Sequence, residues 1–409
     1  MRTLVVAGDY PWPEDRGPRM RLAMVLRGLR RCGPVELCSV ISQFRTDFDA
    51  PDQTLHLSKV ARVGFDNRTA SGAGLLTSLW RPSMPLGLPW QDRSTVQRAL
   101  ARFMSGRYDL VWFFGARPWV LAGEPVLAPT IIDLDDLEDQ KIVARLSMPH
   151  PPSSGWPQRI RRKASTMVAH EEIRRWRRLH RRAGQRASAI AVCSTLDAER
   201  AAVGGLANVA VVPNGYRNVE HPLGRTGVGS PPTLLFQGLL RYPPNIEAAR
   251  LLAHEVGPAL RALIPDAQIR LVGEHHPDLM DVHDPPRVTV VGQVPDMATE
   301  LAQADIVVVP IRYGSGTRVK ILEAFAHRIP VVSTTLGAEG LGAVDGVHLL
   351  IGDTTPALAE SCARLLRDVR LRESVASEGE ALFADRFRTD VIEEGIAGLA
   401  RTVAGGQER

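Results

Sequence analysis

Cysteine is scarce in this chain of 409 residues: four side chains, at positions 32, 38, 193 and 362. None forms a C-x-x-C pair, and so sparse a set builds no disulfide framework; a reducing cytoplasm suits it. Aromatic residues are also few, at 5%. Nowhere does an apolar stretch approach the roughly 18 residues of a membrane-spanning helix. The chain opens with Arg2 ahead of a short apolar run broken at Gly8, too brief for a secretory leader. These shortages predict a cytoplasmic protein, at most resting on the inner face of a membrane.

Apolar residues make up 44% and charged residues 23%, as in ordinary globular proteins. The length suits two or three domains. Glycine (35) and proline (30) are plentiful, which suits many short connections between strands and helices. The net charge of +5 favours an anionic partner such as a nucleotide, a lipid phosphate or an acidic glycan. Nucleic acid suits the chain less, because its basic run has no interleaved aromatics.

Short β-branched runs alternate with helical segments throughout. Strands are predicted at Thr3–Ala7, Val35–Val40, Asp109–Phe114, Thr130–Asp133, Ala189–Cys193 and Val209–Val212. A second set falls at Thr233–Gln237, Gln268–Val272, Arg287–Val291, Asp305–Pro310, Pro330–Ser333 and His348–Ile351. Several are continuous apolar runs, as in strands buried on both faces of a parallel sheet. The alternation predicts an α/β, doubly wound architecture. Pro213-Asn214-Gly215 reads as a turn, and His221–Pro232 is rich in glycine and proline without periodicity. The expected division is therefore a first domain over 1–215, a linker over 216–232 and a second domain over 233–388. A last helical segment, 389–409, can pack on either.

The most informative segment is Tyr313-Gly-Ser-Gly-Thr-Arg-Val-Lys-Ile-Leu-Glu-Ala-Phe-Ala326, between an apolar strand and a helix. Glycines there let backbone N–H groups approach a ligand closely. Ser315, Gly316 and Thr317 would form the turn, and a helix start after Thr317 suits a phosphate. Arg318 and Lys320 add positive charge. Glu323 lies five residues beyond Arg318, about 7–8 Å along a helix axis. That is the offset between a pyrophosphate and the ribose hydroxyls it carries. Glu323 is flanked by Ile321, Leu322, Ala324 and Phe325, and a carboxylate amid so much apolar surface needs a partner.

This segment, continued through HRIPVVSTTLGAEGL, resembles the donor-binding signature of retaining glycosyltransferases of family 4. Phe236-Gln-Gly-Leu-Leu-Arg-Tyr-Pro-Pro-Asn245, Val290–Pro310, Val211-Val-Pro-Asn-Gly215 and the opening PWPEDRGPRMRLAMVLRGL extend the resemblance over nearly the whole chain. It implies the GT-B fold, two Rossmann-like domains with an interdomain cleft. It also implies a nucleotide-sugar donor in the second domain and a glycan, lipid-linked or small-molecule acceptor in the first, with no metal or cofactor needed. Glu323 occupies the second position of the family's E-x7-E motif, which binds ribose. The first position is Ser315. The places of the usual arginine and lysine after the first strand of the second domain read Leu239 and Asn245. Arg241, Arg318 and Lys320 are the cations available in their stead, and the reading assigns catalysis to Arg318 and Lys320 and donor contacts to Gly238, Arg241, Asn245, Ser315, Gly316, Thr317 and Glu323. The histidine usual in the first domain is absent near Phe113–Arg117. A sugar-nucleotide epimerase of the same fold and a non-catalytic partner of a transferase are the alternatives.

In the first half, Gly17 allows close backbone approach or merely a turn, while Arg16, Arg19 and Arg21 face an anionic acceptor, the donor phosphates or solvent; Arg16, Gly17 and Arg21 are read as acceptor-binding. Asp135 and Asp136 follow a predicted strand, where open α/β sheets bind ligands. They are read as orienting an acceptor hydroxyl, capping a helix or, less simply, holding a divalent ion. Arg159–Arg186 contains eleven lysines and arginines against two glutamates, with Ile173, Trp176, Leu179, His180 and Ala183 at helical spacing. Its cationic face is either solvated or suited to anionic lipid.

Overall fold

The computed structural model describes residues 1–42, 47–65, 84–86, 88, 93–135, 137–147, 156–223, 227–314 and 319–406. They divide into two compact units. One comprises Met1–Asn214 with Ile392–Arg409; the other is Gly215–Val391. The chain thus passes between units twice, and residues 216–232 cluster with the second.

The first unit is built on a parallel sheet of β1 (Thr3–Ala7), β2 (Val35–Ser42), β3 (Lys59–Phe65), β4 (Leu110–Phe114), β5 (Thr130–Asp133), β6 (Ala189–Val192) and β7 (Val209–Val211). Their spatial order is β3-β2-β1-β4-β5-β6-β7. Alternate side chains of a strand point to opposite faces. Accordingly Leu4, Val6, Val111, Phe113 and Ile132 enter one core, while Val5, Ala7, Leu110, Trp112, Phe114 and Ile131 enter another. Both faces are covered, so these strands lack polar alternation. The helix Gly17–Arg30 packs Leu22 and Leu26 into the second core beside Ile392, Ile396 and Ala400 of the helix Thr389–Gly405. Gly28 makes that approach possible, since a Cβ there would lie 2.8 Å from the Glu393 carbonyl oxygen and from Ile396.

The second unit carries a parallel sheet of β8 (Thr233–Gln237), β9 (Gln268–Val272), β10 (Val288–Gly292), β11 (Ile306–Val309), β12 (Val331–Ser333) and β13 (Leu350–Ile351). Its order is β10-β9-β8-β11-β12-β13. Every predicted strand is present within a few residues. β3 is an addition: it borders β2 alone, and most of its side chains are partly or fully exposed. The helical stretch that starts at Pro243 and ends at Arg261 is interrupted by a wider π turn at Leu252–Val256, just before Gly257-Pro258. Proline has no N–H for the regular ladder, and the wider turn absorbs the break.

Candidate functional site

In the second sheet the chain leaves β8 toward β9 on one side and β11 toward β12 on the other. The crevice outside the carboxyl ends at such a reversal is where open α/β sheets receive ligands. Gln237 and Gly238 stand at the end of β8. The segment after β11 leads into the helix Val319–Ala326, which carries Lys320 and Glu323.

Gly238 has φ +141°, and a Cβ there would sit 3.1 Å from Lys320 Nζ. Behind it Gly273, with φ +134°, approaches so closely that a Cβ would lie 1.9 Å from the Gly238 carbonyl oxygen. Gly273 has no room for a side chain, one at Gly238 would make the Lys320 ammonium give way, and both backbone conformations favour glycine. The Lys320 ammonium donates to Asn245 Oδ1 at 3.0 Å and lies 4.2 Å from the centroid of the Phe236 ring. Asn245 Nδ2 in turn donates to the Leu239 carbonyl at 2.9 Å. Strand end, following loop and helix thereby fix one cation beside one exposed backbone turn. Arg241 pairs with Glu274 at 2.8 Å, both half-exposed. Ser315, Gly316, Thr317 and Arg318 lie outside the described residues.

One helical turn beyond Lys320, the half-buried Glu323 has partners that local sequence does not reveal. Tyr216 Oη donates to its Oε1 at 2.7 Å, and Gln237 Nε2 donates to its Oε2 at 3.3 Å. Burial pushes the Glu323 carboxyl above its usual range; Tyr216, Gln237 and the charges of Arg217 and Lys320 oppose that rise. The Tyr216 phenol is itself pushed up by burial and by the adjacent carboxylate. His327, 4% exposed, has no hydrogen-bond partner on either ring nitrogen among the described residues. Its ring meets the Tyr216 ring edge-on at 6.3 Å, and burial lowers its basicity. The only sequence signals for these neighbours were a glutamine closing an apolar strand and a tyrosine just after the Pro-Asn-Gly turn.

In the first unit, Gly17 begins the helix Gly17–Arg30, and Arg16 pairs with Asp15 and Asp47. Arg21 is 1% exposed and grips Asp133 with two nitrogens, Nη2 at 2.8 Å and Nε at 3.2 Å. Its Nη1 donates to the Val212 carbonyl at 2.8 Å and to Asn214 Oδ1 at 3.0 Å. Asp135 stands beside this pair: its Oδ1 is 3.5 Å from Arg21 Nε and accepts from Cys193 Sγ at 3.0 Å and Asn214 Nδ2 at 3.3 Å. Asp136 lies outside the described residues.

The long helix Trp156–Arg186 buries Ile173, Leu179, His180 and Ala183 and exposes Arg174, Arg177, Arg178 and Arg181. Among the described residues no helix is long and apolar enough to cross a membrane.

Residues 231–368 match the family model of group 1 glycosyl transferases. No curated protein matches the chain in sequence. Among solved structures, sucrose-phosphate synthase from Thermosynechococcus elongatus superposes with a TM-score of 0.68 at 16% identity, covering 99% of this chain and 100% of that one. HepE from Anabaena, in complex with UDP and glucose, gives 0.61 at 16% identity over 97% of this chain and 98% of that one. WaaG, a glycosyltransferase involved in lipopolysaccharide biosynthesis, gives 0.64 at 13% identity over 99% and 100%. The chain therefore has the two-domain α/β GT-B fold, and the stretch that bears Gly238, Asn245, Lys320 and Glu323 is similar to group 1 glycosyl transferases.

Proposed function

We propose that this chain is a hexosyltransferase-type enzyme that moves a sugar from a nucleoside-diphosphate donor to an acceptor hydroxyl with retention of anomeric configuration. The observation that carries this reading is the pairing of Lys320 and Glu323, one helical turn apart, at the reversal of a sheet in the segment similar to group 1 glycosyl transferases. As the bond from the anomeric carbon to the phosphate oxygen breaks, negative charge grows on the departing diphosphate. Fixed cations stabilise that charge most where they are already in place. Lys320, held by Asn245 and Phe236, supplies one such cation, and Arg318, two residues before it in sequence, is assigned the same role. Gly238 admits the phosphates to the backbone, and Ser315, Gly316 and Thr317 are assigned further contacts to the donor. Glu323 accepts from the ribose hydroxyls. In a front-face displacement the leaving phosphate oxygen takes the acceptor's proton, so this step needs no protein base, and on this reading the cations take the place of a metal at the diphosphate.

Asp135, a quarter exposed with Arg21 behind it, orients the acceptor hydroxyl, and Arg16 and Gly17, at the start of the first helix, stand beside the acceptor. Envelope glycan, glycolipid and secondary-metabolite synthesis all supply hydroxyl acceptors of this kind. The HepE complex with UDP and glucose makes UDP-glucose the first donor to try. A thermal-shift panel of nucleotide sugars finds the donor, since a specific ligand raises stability. With the donor in hand, Glu323→Ala weakens its binding, and Arg318→Ala lowers turnover by about tenfold or more. Full activity in both variants refutes the site. Conversion of the donor sugar without acceptor identifies an epimerase instead, and binding without any turnover a non-catalytic partner.

We further infer a peripheral membrane contact through the Arg159–Arg186 segment. Ile160, Met167 and Val168 are 46%, 73% and 54% exposed. With exposed Ala164 they recur at i, i+4, i+7 and i+8, forming one stripe on the face away from Ala169 and Ile173. Arg161 and Lys163 flank it, and Arg174 and Arg178 continue its line. Apolar residues among cations suit an anionic lipid surface. Vesicles of phosphatidylcholine with phosphatidylglycerol should sediment the protein, and Met167→Glu should release it. Equal sedimentation of variant and wild type would remove this contact from the reading.

A further inference from the structure

We propose that Tyr216 is a positioning residue for donor recognition: its phenol holds the Glu323 carboxylate so that one acceptor site on each oxygen stays open to a ribose 2′,3′-diol. The inference rests on the reading of Glu323 as the ribose acceptor and names what makes that carboxylate selective.

The argument begins with lone pairs. An ionised carboxylate offers about four acceptor sites, two on each oxygen. Tyr216 Oη takes one on Oε1 at 2.7 Å, and Gln237 Nε2 takes one on Oε2 at 3.3 Å. One site remains on each oxygen. A cis-diol carries two O–H donors on adjacent carbons and fills both; a 2′-deoxyribose fills one.

The phenol is well placed to hold this geometry, because its backbone is anchored. Tyr216 N donates to the Phe387 carbonyl at 2.9 Å. Its carbonyl accepts from Thr389 N at 3.1 Å and from Thr389 Oγ1 at 2.8 Å. The side chain is buried, with the neutral His327 ring at its edge and the Arg217 guanidinium 5.7 Å from its centroid. Tyrosine has few rotatable bonds, so a buried and anchored one aims its hydroxyl with little freedom.

Among the described residues, the charged groups around Glu323 are Lys320 on its own helix and Arg217 beside Tyr216. Both favour the carboxylate, and burial opposes it. The Tyr216 donor is the largest of the influences that hold the carboxyl down. Removing it raises the carboxyl further, so the acid-side loss of nucleotide affinity moves to higher pH. A residue that only supports the fold would not move that profile.

The test is calorimetric titration of UDP and 2′-deoxy-UDP into the full chain, from mildly acidic to mildly basic pH, for wild type, Tyr216→Phe and Glu323→Gln. Wild type should prefer UDP. Tyr216→Phe should bind UDP about tenfold more weakly, as expected for a lost hydrogen bond to a charged group. Its preference for UDP over the deoxy analogue should shrink, and its acid limb should shift upward. Should Tyr216→Phe fail to fold, Gln237→Met, which removes the second donor, is expected to change affinity and preference in the same direction. Wild-type affinity and pH profile in a folded Tyr216→Phe, or wild-type binding in Gln237→Met where that variant stands in, overturns the inference. If Glu323→Gln loses UDP at the same time, the ribose reading stands without Tyr216. If Glu323→Gln also binds like wild type, or wild type binds neither nucleotide, the ribose reading itself fails.

Discussion

Lys320 and Gly238 work as a pair. The ammonium rests against Phe236 and Asn245, and a side chain at residue 238 would crowd it. Lys320→Met keeps the stem and removes the charge. On the proposed chemistry it lowers kcat by about tenfold to a hundredfold, with a smaller change in donor KM, because the charge acts on the transition state. Steady-state kinetics with a fixed acceptor measures the split. Gly238→Ala places a methyl 3.1 Å from Lys320 Nζ at a backbone φ of +141°. It should weaken donor binding and cost about 1 kcal/mol or more of stability. A gain in thermal stability for Gly238→Ala would contradict both statements.

The helices Glu138–Leu146 and Trp156–Arg186 are held together by a buried acid. Asp139 is 4% exposed, accepts from Arg177 Nε at 3.0 Å and lies 3.5 Å from His180 Nδ1. Burial by itself would raise this carboxyl, but hydrogen bonds from His180 and Arg177 outweigh it and hold it at about 2. An unfolded aspartate titrates near 3.9, so the folded value is the lower one. Its contribution is complete above that range and is lost as pH falls through about 2. The offset corresponds to about 2–3 kcal/mol at neutral pH. Urea unfolding should show Asp139→Asn destabilised by about that amount near pH 7, with the two curves converging as the solution is acidified. A difference that persists unchanged in acid would show that the ion cluster is not its source.

Across the whole chain, none of the four cysteines is in a disulfide. Cys38, Cys193 and Cys362 are buried, and burial pushes Cys38 and Cys362 up to about 12. Cys193 is pushed up as well, despite the opposing charge of Arg21. Buried thiols held protonated react slowly. In the native protein, a thiol reagent should therefore label Cys32 alone at an appreciable rate, and a reductant should leave the melting temperature unchanged. Rapid labelling of two or more thiols in the folded chain would contradict the packing around these positions.

The α/β character was legible because strands buried on both faces leave continuous apolar runs, a pattern that needs no knowledge of neighbours. β3 escaped it: an edge strand covered on one side is mixed in polarity. Lys320 and Glu323 could be singled out together because they share one helical segment, and Gly238 because the segment Phe236–Asn245 resembles a family's strand and loop. Their partners could not. Tyr216 is 107 residues from Glu323, and Arg21 is 112 residues from Asp133. Which side chain neutralises a buried charge depends on where distant strand ends meet, and local periodicity carries no record of that. Local composition decides where strands and helices form; the folded backbone decides whether Arg21 closes on Asp133 or stays in solvent, and which hydroxyl holds Glu323.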